Sequence, residues 1–156
     1  MPEAMATKLL KTWRRLEPLP GGKWLFARMV GRAVPYTGSI RARIETLEPG
    51  HALVSLRDHR AVRNHLDSIH AIALANLGEV ATGLAMLTAA TSTRGILVGM
   101  QIEYRKKARG RLMAECTATP PEVTEPVDIQ VSAPIVDMTG DIVAVVTATW
   151  RLAPPV

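Results

Sequence analysis

The chain has 156 residues, 47% hydrophobic and 21% charged, with a net charge of +5. This is the balance of one globular domain with a sizeable core, and it excludes a disordered chain. A single cysteine, Cys116, excludes an internal disulfide and a cysteine-built metal cluster, while 4% aromatic content argues against base stacking on single-stranded nucleic acid.

The positive charge suits an anionic partner: nucleic acid, acidic lipid or a phosphorylated small molecule. The N-terminal segment MPEAMATKLLKTWRRLEPLP has no apolar run long enough for a signal peptide, and no later run is long enough to span a bilayer. A cytoplasmic protein without stable membrane insertion is the expectation. No metal site is expected, because His51, His59 and His65 lack ligand spacing and Cys116 alternates with core residues.

Thr7 to Leu16 reads as a short basic amphipathic helix, with Leu9, Leu10, Trp13 and Leu16 on one side. Pro18, Pro20, Gly21 and Gly22 end it, and Lys23 to Arg32 reads as a second short helix before Pro35. A helix this short is better placed as an arm packed on the domain than as a membrane-surface element. Residues 1–37 are therefore taken as an N-terminal helical arm, and 38–152 as the main body of a single globular domain.

From Gly38 the apolar period changes to two. Ile40, Ala42, Ile44 and Thr46 alternate with charged residues, Glu48-Pro49-Gly50 turns the chain, and His51 to Arg57 returns as a partner strand. The stretch after Arg63 is different. It becomes one long helix rich in Ala, Leu and Met, with Asp67 or Ser68 as its cap, apolar on nearly every side and therefore buried all round. Asn76, Gly78, Glu79 and Gly83 interrupt it too often for a membrane span. Four strands follow. Gly95 to Arg105 sets Ile96, Val98, Met100, Ile102 and Tyr104 on one face. Leu112 to Ala118 and Val127 to Ile135 come next, with Pro134 marking an edge or a bulge, and Ile142 to Leu152 is last. The order is strand pair, buried helix, four antiparallel strands. An α+β fold in which a curved antiparallel sheet wraps one helix satisfies all of these faces.

Glu79 is the only formal charge between Ser68 and Thr93. A lone carboxylate inside a buried helix is costly unless it is paired, protonated or employed. Arg63 and Arg94 are the candidate partners if its role is structural. If it is employed, it can attack a carbonyl carbon or activate water for that attack. The amide donors at the helix start, near His70 and Ala71, can hold a carbonyl oxygen as it gains negative charge, and Asn64 can orient water or substrate. Nine helical residues span about 13 Å, so the acid and the donors meet only if a second copy brings its helix start beside this Glu79.

These residues resemble the hotdog-fold acyl-CoA thioesterases, in which a long helix is wrapped by an antiparallel sheet. The phenylacetyl-CoA and 4-hydroxybenzoyl-CoA thioesterase type is the most similar group, within it an uncharacterised subfamily catalogued as a domain of unknown function. Members carry an Asn, a His-Gly-Gly at the helix start and an acid nine positions after the His; here these positions hold Asn64, His70-Ala71-Ile72 and Glu79. The resemblance covers about residues 38 to 152. It implies that Glu79 is nucleophile or general base, that the Ala71 N–H polarises the thioester carbonyl, and that Asn64 positions water or substrate. It also implies a homodimer with the active site between subunits, or a tetramer built as a dimer of dimers. The sequence departs from the pattern in two places. His-Ala-Ile brings Cβ atoms to the helix start, and Gly83, beside Thr82, stands where relatives carry Thr or Ser at a substrate-contacting position.

Arg105, Lys106 and Lys107 lead the densest basic cluster, YRKKARGR, and are the candidates for the phosphates of coenzyme A. No nucleic-acid recognition motif accompanies them, so no nucleic-acid partner is expected. The expected activity is hydrolysis of an acyl-CoA or other acyl thioester to the free acid and thiol, with no cofactor. The alternative is a non-catalytic acyl-CoA-binding or scaffolding dimer of the same fold, in which Glu79 is structural.

Overall fold

The computed structural model describes residues 2–154. Three helices open the chain: α1 (Pro2–Leu16), α2 (Gly22–Ala33) and α3 (Pro35–Ser39). α1 starts earlier than the amphipathic pattern indicated, because Glu3, Ala4 and Ala6 are strong helix formers and proline is accommodated in a first turn. Trp13 and Phe26 are 2% and 1% exposed and meet edge to face at 5.1 Å, which fixes α1 on α2. Both belong to the same apolar cluster as the rest of the core.

β1 (Arg43–Glu48) begins later than the alternation suggested. Pro35 starts the short α3 instead, and the chain then turns through Arg41, which has φ 55°. β1 pairs with β2 (His51–Leu56), but Ile44 faces Val54 while Thr46 faces Leu53, so Glu45 bulges out of the ladder. The bulge shifts the phase by one residue. Ile44 and Leu47, not Ile44 and Thr46, reach the core. A 3₁₀ turn, Arg60–Val62, leads to α4 (Ala71–Ala89).

β3 (Arg94–Tyr104), β4 (Leu112–Thr117), β5 (Val127–Val136) and β6 (Ile142–Ala153) complete one antiparallel sheet in the order β1-β2-β4-β5-β6-β3. Pro134 lies in an interior strand. It is tolerated because β4 pairs with β5 only at Ile135 and Val136, so the ladder stops beside the proline. β3 also carries a bulge, at Val98. Met100, Ile102 and Tyr104 therefore share the concave face with Leu97, whereas Ile96, opposite Arg151, lies on the convex face and not with them as the simple alternation indicated.

α4 lies across the concave face. A Cβ at Gly78 would overlap Val146 of β6, so glycine is what lets the helix settle onto the sheet. Leu74, Leu77, Val80, Ala81 and Leu84 fill the space towards the strands. α4 is the only helix among the described residues long and apolar enough to cross a membrane by length and composition, and 72% of that window is buried in the fold, where it serves as core. Its far end is tied down by Thr88, whose Oγ1 accepts from the Gly50 N–H (3.1 Å) in the β1–β2 turn.

Candidate active site

The start of α4 is capped by neither Asp67 nor Ser68. The cap is His70, whose Nδ1 accepts the Ile72 N–H at 3.0 Å. Asp67 instead takes a left-handed backbone at φ 53°, and the loop around it is folded by Asn64. Asn64 Oδ1 accepts from the amides of Leu66 (2.9 Å) and Ser68 (3.3 Å) and from Ser68 Oγ (3.1 Å). That leaves the Asn64 amide nitrogen as the group it can offer a ligand. With Ile72 N–H taken, the Ala71 N–H is left without an acceptor among the described residues. Tyr104 Oη donates to the Ala71 carbonyl at 3.1 Å, and Ile69 N–H donates to Ala108 O at 2.8 Å. The helix start and the basic segment after β3 therefore lie side by side.

The charges of that segment are largely engaged. Lys106 Nζ reaches Asp137 and Asp141 at 2.7 and 2.6 Å, and this holds both carboxyls below their ordinary range. Arg111 pairs with Glu45 at 2.7 Å, Arg109 donates to the carbonyls of Leu66 and Asp67, and Arg105 sits 3.5 Å from Glu103. Lys107 is exposed.

Glu79 is elsewhere. It is half-buried two turns along α4 and lines an apolar cavity of about 230 Å³. Among the described residues its carboxylate has no cation within salt-bridge distance. Arg63 is occupied by Asp58 at 2.6 Å, and Arg94 lies exposed at the start of β3. Burial alone pushes the Glu79 carboxyl above its ordinary value. Gly83, one turn on, is beside it, and Trp150 of β6 forms the facing wall. The Trp150 Nε1 donor is buried without a partner.

Two contributions were not visible in the sequence. Trp150 read simply as a strand residue. Val30, Val34 and Thr37, from the N-terminal helices and the turn they enclose, also wall the cavity. Only their positions in space, 42 to 49 residues away from Glu79 in the chain, reveal that role. Cys116 is buried core, its thiol pushed up to about 11 by desolvation.

The structure thus groups Glu79 with Gly83, and groups Asn64, His70 and Ala71 with the basic segment. The eight residues from Ala71 to Glu79 put about 12 Å of helix between the two groups in one chain.

Solved structures of the same architecture include a Pseudomonas aeruginosa protein of unknown function described as a probable thioesterase. It is 22% identical over 88% of this chain and 97% of its own, with a TM-score of 0.75. A variant of a Staphylococcus aureus thioesterase is 18% identical over 77% and 99% of the two chains at a TM-score of 0.67. A mutant of the phenylacetic acid degradation protein PaaI from Thermus thermophilus is 18% identical over 75% and 97% at a TM-score of 0.65. These likenesses establish the fold: a hotdog, helix wrapped by sheet. No curated protein matches the sequence. A family profile described as "Domain of unknown function (DUF4442)" matches residues 22–152.

Proposed function

Because the chain belongs to the DUF4442 family and folds as a hotdog around an acid-lined cavity, we propose that it hydrolyses an acyl thioester to a free acid and a thiol, with Glu79 as nucleophile or general base. One observation carries this reading: Glu79 is half-buried at an apolar cavity with no cation among the described residues to neutralise it. An acid so placed has no structural partner among the described residues to explain it, and a carboxyl raised by burial is better suited to proton transfer than an ordinary glutamate.

The electrophile's oxygen needs a donor. The free Ala71 N–H at the positive end of α4 is suited to it. It serves Glu79 only from a second copy, given the length of helix between them, so the working unit is a homodimer. β3 is an edge strand with Ile96, Val98 and Met100 exposed at 67%, 44% and 44%. An apolar edge of this kind is the natural surface for the second copy. As general base Glu79 takes a proton from water, the hydroxyl adds to the carbonyl carbon, the C–S bond breaks, and that proton passes to the departing thiolate. As nucleophile Glu79 adds directly, the thiolate leaves with a proton from water, and the resulting hydroxide cleaves the acyl–Glu79 anhydride to the free acid.

The test is hydrolysis of a panel of acyl-CoA esters by the wild type and by Glu79→Gln. A loss of about 10²–10⁴-fold in turnover with the dimer intact is expected. Equal rates would remove the assignment.

A further inference from the structure

A second groove, about 770 Å³, runs between α2, α3, β1 and the segment after β2. Its wall carries Arg28 and Arg32 from α2, Arg41 and Arg43 from the entry to β1, and Arg57 and His59 from the segment after β2. The acid in that wall, Asp58, is already held by Arg63 Nε at 2.6 Å and the Gly110 N–H at 2.9 Å. Glu45, close by, sits 3.6 Å from Arg43 and 2.7 Å from Arg111. Among the described residues Arg28, Arg32, Arg41 and Arg57 have no carboxylate partner. Four unpaired guanidinium groups around one concavity repel one another, and an anion with several charges relieves that repulsion. Arg41 is also held at φ 55°, a strained setting for a residue with a Cβ.

Two further features narrow the ligand. Trp24 lies on the same wall, 61% exposed, with Arg28 Cζ 5.7 Å from its ring centroid. An exposed indole beside cations is a stacking face for a heterocyclic base. The groove also adjoins the acid cavity: Val30, Thr37 and Val80 line both, and Val80 follows Glu79 in the chain. We propose that this groove seats the phosphates and base of a nucleotide-bearing thioester, its slender arm passing Val30, Thr37 and Val80 so that the acyl end reaches Glu79 of the same protomer. The inference rests on the acyl-thioester reading for the ligand's acyl end and goes beyond it for the rest. It moves phosphate binding away from residues 105–111, whose cations are mostly spent on Glu45, Glu103, Asp137, Asp141 and backbone carbonyls.

Calorimetric titration of the full chain with free coenzyme A, 3′-dephospho-coenzyme A and pantetheine tests it. Coenzyme A should bind, loss of the 3′-phosphate should weaken binding roughly tenfold, and pantetheine should show no measurable binding. The doubles Arg41→Ala/Arg57→Ala and Arg28→Ala/Arg32→Ala should each weaken coenzyme A at least roughly tenfold with the unfolding midpoint retained. Equal affinity for coenzyme A and pantetheine would overturn the proposal. So would unchanged affinity in both arginine doubles, or loss of binding in Lys106→Ala/Lys107→Ala instead. Arginine-dependent capture on phosphatidylglycerol vesicles, without coenzyme A binding, would give the groove to a lipid headgroup and overturn it too. Free coenzyme A carries no acyl group, so the two readings fail separately. Affinity without hydrolysis sinks the hydrolase and keeps the groove; hydrolysis with affinity unmoved in the arginine doubles does the reverse.

Discussion

Gly83 lies directly against Trp150: a Cβ at position 83 would sit 3.3 Å from Trp150 Cζ2 and 3.6 Å from Glu79 Oε1. The missing side chain is what keeps a space open between the indole wall and the acid. Alanine there gains helix propensity of about 1 kcal/mol but presses on the ring. Gly83→Ala is therefore expected to stay within about 1 kcal/mol of wild type in urea unfolding. Gly83→Leu fills the cavity, and hydrolysis of long acyl esters should disappear before that of acetyl esters. Identical acyl-chain profiles for the Leu variant and the wild type would show that ligands do not pass between Gly83 and Trp150.

The acid itself gives a pH signature. Burial raises the Glu79 carboxyl above its ordinary 4.5, so the folded chain holds this proton more tightly than the unfolded chain does. Stability linked to Glu79 is complete below about 4.5 and is lost as pH rises through the higher folded value. Glu79→Gln has no such loss. Its urea midpoint should gain on that of the wild type as pH rises from about 4.5 to that higher value and then run parallel at a constant offset. The acid limb of kcat/KM for the wild type should lie in the same window, above that of an ordinary glutamate. A midpoint difference that does not change between pH 4 and 8 would contradict the buried-acid account.

The elements were legible because their periods were clean: the apolar run of α4 and the alternation along β4 lead straight to helix and strand. What the sequence hid was phase and distance. One extra residue at Glu45 and one at Val98 turned neighbouring side chains to the opposite face, and nothing in the local pattern marks a bulge. The YRKKARGR run looked like an anion site because its charges are adjacent in the chain. Its neutralising acids, Glu45, Asp137 and Asp141, come from far away. The groove cations are scattered from Arg28 to Arg57 and so never formed a visible cluster. The helix cap was misplaced for a related reason. Asp67 and Ser68 are better capping types, but Asn64 uses Ser68 to close its own loop, and the cap passed to His70.

That cap separates two roles for His70. Its Nδ1 is engaged by the Ile72 amide. His70→Ala should cost about 1 kcal/mol, whereas His70→Asn keeps a side-chain acceptor at the cap. Asparagine is expected to restore both the unfolding midpoint and turnover. Recovery of stability with turnover still depressed would instead assign the imidazole a direct contact with substrate.

Whether the acid and its amide donor come from different subunits is decided by complementation. Ala71→Pro deletes the candidate donor at a position where proline is well tolerated, and His70 already has the extended backbone, φ −63° and ψ 141°, that precedes proline comfortably. Ala71→Pro and Glu79→Gln should each form inactive dimers. Unfolded and refolded together, they pair at random, so half the dimers are mixed. In each mixed dimer one of the two sites joins an intact Glu79 to an intact Ala71, and activity should return to about a quarter of wild type. Sites built within one chain would recover nothing on mixing. The same logic reaches the edge strand. Val98→Lys/Met100→Lys puts charge on two exposed side chains of the edge strand β3, and light scattering should then report a monomer that has lost hydrolysis while keeping its own Glu79. A wild type that is itself monomeric, yet hydrolyses acyl-CoA, would require the amide donor to come from somewhere other than a partner's helix.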